Sequence, residues 1–174
     1  MVIKAPKGKA PYAGTPVSVE TSKMQISKLL RDYGASGVIW GDNFTTGEVS
    51  LQFAVAHEDG HLTSYRITPT PFMEEHNTWS AIKGRTEAVR SPNWPRTMRL
   101  LLAVLKAKLE SVAFGLTVVE EEFLAHTVVR DAHGKEARVG DLVLHALEMG
   151  GGQLALEAPR KREGAVDAES HEVR

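Results

Sequence analysis

The feature that most constrains this chain is the apolar run of residues 91–115, SPNWPRTMRLLLAVLKAKLESVAFG. Its large apolar side chains recur at helical spacing, which places them in one stripe that has to be buried. Pro92 or Pro95 suits a first helical turn, where the missing N–H has no helical partner, and Gly115 supplies a left-handed stop. The run predicts one long helix at the centre of a single core. The stripe consists of Met98, Leu101, Leu102, Leu105, Leu109 and Val112.

Composition limits the class of protein. A chain of 174 residues with 42% hydrophobic and 25% charged residues suits one soluble globular domain with some tail. The formal net charge of −1 gives no overall attraction to nucleic acid or to an anionic membrane, so such binding must depend on local charge. The lack of cysteine excludes disulfides and thiolate chemistry. Because no apolar run has membrane-spanning length and no signal-peptide core is present, we expect a cytoplasmic protein without membrane contact.

The residues before the long helix predict one helix and three strands. Ser22 and Gln25 have the spacing of a capping box, which opens a first helix. Residues 36–41, SGVIWG, form a short β-branched run bounded by glycines. Residues 49–55 alternate apolar and polar side chains with a period of two, and residues 62–68 supply a third strand.

Register predicts the turn between the second and third strands. A two-residue turn at Asp59-Gly60 would pair Phe53 with Arg66 and mix apolar with polar side chains on one face. A loop one residue longer, with Gly60 left-handed, pairs Phe53 with Tyr65 instead. Because a slip of one residue turns a whole strand over, the longer loop is favoured.

The remaining segments are less regular. Residues 69–93 contain several prolines and predict a long loop, with one short helical turn around residues 79–83. A loop of this length in a compact domain is usually functional or disordered. Thr117 and Glu120 form a second capping box, which opens a short helix that runs to about His126.

The predicted order is α-β-β-β-long loop-α-α, with a small helical addition at the C-terminal end. A short extended segment at residues 127–129 and a last helix at residues 140–149 make up this addition. The order is typical of an α+β domain in which a three-stranded antiparallel sheet packs against the long central helix. We expect residues 1–17 to be a flexible basic arm, residues 18–149 to be the domain and residues 150–174 to be a disordered charged tail.

One motif resembles a zinc-protease signature. His57-Glu58-Asp59-Gly60-His61 fits H-E-x-x-H, but that chemistry needs both histidines on one helix, and the flanking period of two predicts a hairpin tip. The register places His57 opposite His61, where a carboxylate could complete a metal site. A polar hairpin end explains the same residues, and metal sites need three or four ligands. The sequence therefore assigns no metal ligand, no cofactor and no catalytic residue.

A second feature combines positive charge with aromatic side chains. Residues 83–108 carry seven cationic side chains against one acid, Glu87. Cations neutralise phosphates, and exposed aromatic rings stack on unpaired bases. The same charges also suit a solvated helix face opposite the apolar stripe. The candidate nucleic-acid-binding residues are Lys83, Arg85, Arg90, Arg96, Arg99, Lys106, Trp79 and Trp94.

The chain also resembles a family of small uncharacterised proteins of tailed phages and prophages. The resemblance covers about residues 22–147 and includes YGASG at residues 33–37, LLAVLKAKLE at residues 101–110 and EEEFLAH at residues 120–126. It implies a phage setting, in which small accessory proteins often serve DNA metabolism or host takeover. No catalytic residues are carried over from the family.

These observations give one leading functional hypothesis and two alternatives. The leading one is a small non-enzymatic phage accessory protein that binds nucleic acid through the basic stretch. The first alternative is an adaptor or inhibitor of a host or phage protein that uses Phe72, Trp79 and Trp94 as anchors. The second is a metal-dependent enzyme at His57 and His61. The oligomeric state is left open.

Overall fold

The computed structural model describes residues 11–80, 82–130 and 134–149. The predicted disordered tail, residues 150–174, lies outside the described residues, and so do residues 1–10 of the predicted basic arm. The rest of this predicted N-terminal segment, residues 11–17, contacts the long helix. The Pro11 carbonyl oxygen accepts a hydrogen bond from Arg96 Nε at 2.9 Å.

The described chain contains four α-helices and seven strands in antiparallel pairs, with a short 3₁₀ helix at Leu124–His126. The helices are α1 (Val19–Asp32), α2 (Trp94–Ala113), α3 (Val119–Phe123) and α4 (Val139–Glu148). The strands are β1 (Ala35–Asn43), β2 (Glu48–Ala56), β3 (Leu62–Ile67), β4 (Phe72–Ser80), β5 (Arg85–Asn93), β6 (Val128–Arg130) and β7 (Glu136–Arg138). The predicted α+β class is confirmed and the α-β order fits, but the three-stranded sheet against the central helix is matched only in part, because two further strands precede that helix and two follow it.

Strands β1, β2 and β3 form one antiparallel sheet in that order, and its register agrees with the prediction. Phe53 pairs with Tyr65 and Leu51 pairs with Ile67. Gly60 has a φ of +83°, the left-handed conformation that the three-residue loop requires. The inward side chains of β2 and β3 are buried because alternate residues of a strand point to the same face.

The core lies between this sheet and the helices α1, α2 and α3. Phe53, Tyr65 and Phe123 form an aromatic cluster with ring centroids 5.1 to 5.6 Å apart. The two longer helices pack on each other, and α1 also contacts β1. The buried hydrophobic residues are Ile26, Leu30, Val49, Leu51, Phe53, Tyr65, Ile67, Met98, Leu101, Leu105, Leu109 and Phe123.

Helix α2 has the predicted stripe and the predicted ends. Asn93 caps its N-terminus by accepting the Arg96 N–H at 3.0 Å, and Pro95 occupies the first turn. Gly115 follows the helix with a φ of +72°. Four members of the stripe are buried and two are half-buried: Met98, Leu101, Leu105 and Leu109, then Leu102 and Val112.

Both predicted capping boxes are wrong. Helix α1 begins earlier, because the Ser18 side chain accepts the Thr21 N–H, and Ser22 is a buried residue within the helix. Helix α3 follows Val118, which makes no side-chain cap. Thr117 instead donates its hydroxyl hydrogen to a carboxylate of the first turn. The capping-box spacing is present at both places. The Ser18 side chain caps α1 instead, and no side chain caps α3.

The predicted long loop is also wrong, because residues 72–93 form a β-hairpin, β4–β5, which we call the arm. Strand β4 continues to Ser80, where the start of a helical turn is predicted from the sequence. The arm is a separate two-stranded sheet, and those of its residues that the structure describes contribute no buried hydrophobic side chain to the core. In the described ranges, no helix is long and apolar enough to cross a membrane.

Candidate functional site

The arm is fixed to the domain at its base. Nine residue pairs join its strands, which corresponds to a length of about 30 Å. Gly84 closes the turn with a φ of +59°, which glycine adopts without steric cost. At the other end, the Phe72 N–H donates to Thr97 Oγ1 of α2 at 2.8 Å. The distal half of the arm is thereby held out from the core on a defined base.

The tip of the arm combines exposed apolar and cationic side chains. Trp79 is 64% exposed and Ile82 is 98% exposed. Lys83 Nζ lies 3.0 Å from the Glu87 carboxylate, and Arg85 Nε lies 3.2 Å from the same oxygen. Two cations therefore share one acid, which leaves the tip with an excess of positive charge.

The pairing of the strands assigns the candidate side chains to faces. Trp79 pairs with Thr86, and Arg90 pairs with Glu75. Because side chains alternate along each strand, Trp79 and Arg90 share one face, whereas Arg85 lies on the opposite face. The arm could therefore contact a ligand on either face or along its edge.

Two of the predicted binding residues are structural. Arg96 is only 5% exposed, although its position in the helix placed it opposite the apolar stripe. Its guanidinium lies 3.5 Å from the centroid of the Phe72 ring and donates to the Pro11 carbonyl. Trp94 is half-buried and packs against the core. The segments that cover Arg96 come from distant parts of the chain, which a helical pattern cannot reveal.

The other two helical candidates lie apart from the tip. Arg99 donates to Gln25 of α1 at 2.6 Å and lies 5.8 Å from the Tyr12 ring centroid. Lys106 is exposed and lies 3.6 Å from Glu110 on the same helix. The structure brings four of the eight candidates together on the arm: Trp79, Lys83, Arg85 and Arg90. Ile82 belongs with them, and its place in the turn between Trp79 and Lys83 is the signal that could have indicated it.

The two histidines of the H-E-x-x-H match lie side by side at the end of the β2–β3 hairpin. Their ring centroids are 4.3 Å apart, and the planes of the two rings are nearly parallel. His57 Nε2 is 2.7 Å from Thr63 Oγ1, and His61 Nε2 is 3.2 Å from the same oxygen. The helix that a zinc protease needs is absent there, since β2 and β3 flank the loop. Within the described residues, no group of three or more His, Asp or Glu side chains is arranged to hold a metal ion.

Charges around this hairpin end are arranged in pairs. His57 Nδ1 lies 3.5 Å from Glu120 Oε1, and His61 Nδ1 lies 3.6 Å from Asp59 Oδ1. The His61 backbone N–H donates to Asp59, and this bond holds the pKa of the carboxyl below its ordinary value. Burial raises the pKa of the Tyr65 hydroxyl, and the nearby Glu120 charge adds to the effect.

A polar cleft of about 470 Å³ lies where β7 and α4 meet the main sheet. Four of its charged side chains form two ion pairs: Arg66 donates to Glu136 at 2.6 Å, and Arg138 donates to Asp141 at 2.7 Å. Hydrogen bonds from Arg130 and then Arg66 hold the pKa of Glu136 below its ordinary value. The first pair joins the small β6–β7 hairpin to the sheet and the second joins β7 to the start of α4, so the cleft has a structural explanation.

Comparisons of this chain with protein-family models, with curated proteins and with solved structures find no match.

Proposed function

We propose that this protein binds nucleic acid through the distal half of the arm. The observation that carries the proposal is the exposed Trp79 at the end of a two-stranded ribbon, beside Lys83 and Arg85. The resemblance to tailed-phage proteins suggests the setting, an accessory role in phage DNA metabolism inside the host cell.

The shape of the arm supports the proposal. The major groove of B-DNA admits a two-stranded β-ribbon, and the arm is such a ribbon over nine pairs. Trp79 offers a ring that can stack on an unpaired base, while Lys83 and Arg85 can neutralise phosphates. Arg90 shares the face of Trp79 and extends the contact toward the base of the arm.

The arm carries few cations, and their number sets the expected salt dependence of nucleic-acid binding. Arg96 and Arg99 have contacts within the domain, so the binding residues reduce to those of the arm. Each phosphate neutralised contributes about −0.9 to the slope of log K against log salt on duplex DNA. Three cations then predict a slope no steeper than about −3 and an affinity that is weak at physiological salt, because Glu75 and Glu87 compete with phosphates for them.

The test is a fluorescence-anisotropy titration with single- and double-stranded DNA and RNA at several salt concentrations. Replacing Lys83 and Arg85 together by alanine should reduce the salt slope by about two. Trp79→Ala should weaken single-strand binding by about 1 to 3 kcal/mol. The matched control removes Lys28 and Arg31, two exposed cations of α1, and should change neither quantity. No binding at low salt, or equal losses in the control, would refute the proposal.

A second candidate function is docking on another protein through the same arm. Apolar side chains are exposed along its length, including Met73 and Val89 as well as Trp79 and Ile82. An isolated two-stranded hairpin is marginally stable in water, and aromatic residues often form the centre of protein interfaces. A phage or host protein that adds its own strand to the open edge would stabilise the arm. This alternative predicts a stoichiometric complex that survives high salt and is lost on Trp79→Ala.

A further inference from the structure

The end of the β2–β3 hairpin holds a carboxylate, an imidazole and a hydroxyl in series. Glu120 Oε1 lies 3.5 Å from His57 Nδ1, and His57 Nε2 lies 2.7 Å from Thr63 Oγ1. With an Nδ1–H directed at the carboxylate, Nε2 is left as the acceptor for the Thr63 hydroxyl. This is the order in which an oriented base activates a hydroxyl nucleophile.

The fold explains why these three side chains meet. His57 and Thr63 have the same parity as the buried residues of their strands, so they point to the inner face at the open end of the sheet. The first turn of α3 brings Glu120 to that end, where Phe123 of the same helix is anchored in the core. The side chain of His57 is 24% exposed and that of Glu120 is 53% exposed, so solvent reaches the series.

A second imidazole approaches the same hydroxyl from the solvent side. His61 Nε2 lies 3.2 Å from Thr63 Oγ1, and Asp59 lies 3.6 Å from the other ring nitrogen. A single hydroxyl can donate its hydrogen to only one of two acceptors. We take His57 as the acceptor, because its Nε2 makes the shorter contact with the hydroxyl, 2.7 Å against 3.2 Å for His61.

We propose that Thr63, His57 and Glu120 form a site that hydrolyses small carboxylic esters. The assignment uses none of the arm residues, so it is independent of nucleic-acid binding. Thr63 is the nucleophile, His57 is the general base and Glu120 is a positioning residue that orients the imidazole. A cleft of about 700 Å³ beside Thr63 and His61 is walled in part by Leu62, Val128 and Val129. Gln52, Ser64, Arg130 and Glu136 also line this cleft, so its wall is mixed and suits a small ester with both apolar and polar parts.

The reaction balances with water as the only co-reactant. Thr63 Oγ1 bonds to the ester carbonyl carbon as its proton passes to His57 Nε2. The bond from carbon to the leaving oxygen then breaks, and the alcohol departs with the proton from His57. Water attacks the acyl-threonine and gives a proton to His57. Thr63 leaves, regains a proton, and releases the carboxylic acid.

The probe is p-nitrophenyl acetate, with release of p-nitrophenolate followed by absorbance on the full chain. Thr63→Val keeps a β-branched side chain in β3 but removes the hydroxyl, and should lower kcat/KM at least about 100-fold. Thr63→Ser should retain most of the rate, and His57→Gln should lose it. His145→Gln, at an exposed histidine of α4, is the matched control and should leave the rate unchanged.

Two further readouts separate chemistry from structure. Rapid quenching and mass spectrometry should find the acetyl group on Thr63. Glu120→Gln should lower kcat with little change in KM, because the imidazole loses the carboxylate beside Nδ1 that orients it while the cleft is unaltered. Hydrolysis at the wild-type rate in Thr63→Val, or acetylation confined to lysine and histidine side chains, would overturn the assignment. A rate no faster than that of free imidazole would do the same.

Discussion

At the scale of single residues, His126 is the clearest case of a side chain that the fold keeps neutral. Its Nδ1 atom is buried and has no hydrogen-bond partner among the described residues. Burial lowers the pKa of the imidazole from its ordinary value of 6.5, and the charges of Arg138 and Lys108 lower it further. A hydrogen bond with the Arg66 backbone opposes this shift without cancelling it.

The shift predicts how stability depends on pH. The unfolded chain binds a proton at His126 more readily than the folded chain does. The contribution of the neutral imidazole to the free energy of unfolding is therefore fully present above pH 6.5 and is lost as the pH falls through the lowered pKa. His126→Gln keeps a donor for the Arg66 backbone but cannot be protonated. Urea unfolding at pH 7 and pH 5 should show a smaller loss of stability in this variant than in the wild type. An equal loss in both proteins would contradict the prediction.

Arg96 shows why some residue roles could not be predicted from the sequence. The helical pattern correctly placed Met98 and Leu105 in the buried stripe, because their burial depends on the helix alone. The burial of Arg96 depends on Phe72 and on Pro11, which is 85 positions away in the chain. Such contacts leave no local signal. The role of a charged residue opposite an apolar stripe is therefore ambiguous until the fold is known.

At the scale of elements, the difference between the two hairpins has one physical cause. The β2–β3 hairpin was predictable down to its register, because one of its faces is buried. Burial of one face requires apolar side chains at every second position, which gives residues 49–55 their period of two. The arm has no buried face, so Glu74 and Glu75 can follow one another without cost. Periodicity reports burial and not strand geometry, so an unburied hairpin resembles a loop.

The junction between the arm and α2 gives the second prediction. Asn93 ends β5 and caps α2, and its side chain also donates to Glu74 across the arm. Asn93→Ala should lower the free energy of unfolding by about 1 kcal/mol, the usual cost of losing a cap. Asn93→Ser, which retains a capping oxygen, should recover most of that loss in urea titrations with an unchanged m-value. A silent alanine variant would mean that water replaces the cap.

At the scale of the whole molecule, the chain separates a core from a projecting arm. The buried residues belong to α1, β2, β3, α2 and α3. The β6–β7 hairpin is joined to this core by the ion pair between Arg66 and Glu136, which lies in the polar cleft. The arm meets this body at its base, through Phe72 and Thr97. The two proposed activities therefore use surfaces that can be altered separately, since Thr63 lies on the sheet and Trp79 lies on the arm.

That separation makes the last prediction. A variant in which residues 75–90 are replaced by a two-residue Asn-Gly turn keeps Phe72, Glu74 and the cap at Asn93. Its thermal midpoint should stay close to that of the wild type, because the excised residues bury no hydrophobic side chain in the core. Its nucleic-acid binding should disappear, whereas ester hydrolysis at Thr63 should persist. A large fall in the midpoint would show that the arm stabilises the core, and retained nucleic-acid binding would move the interface to the remaining body of the protein.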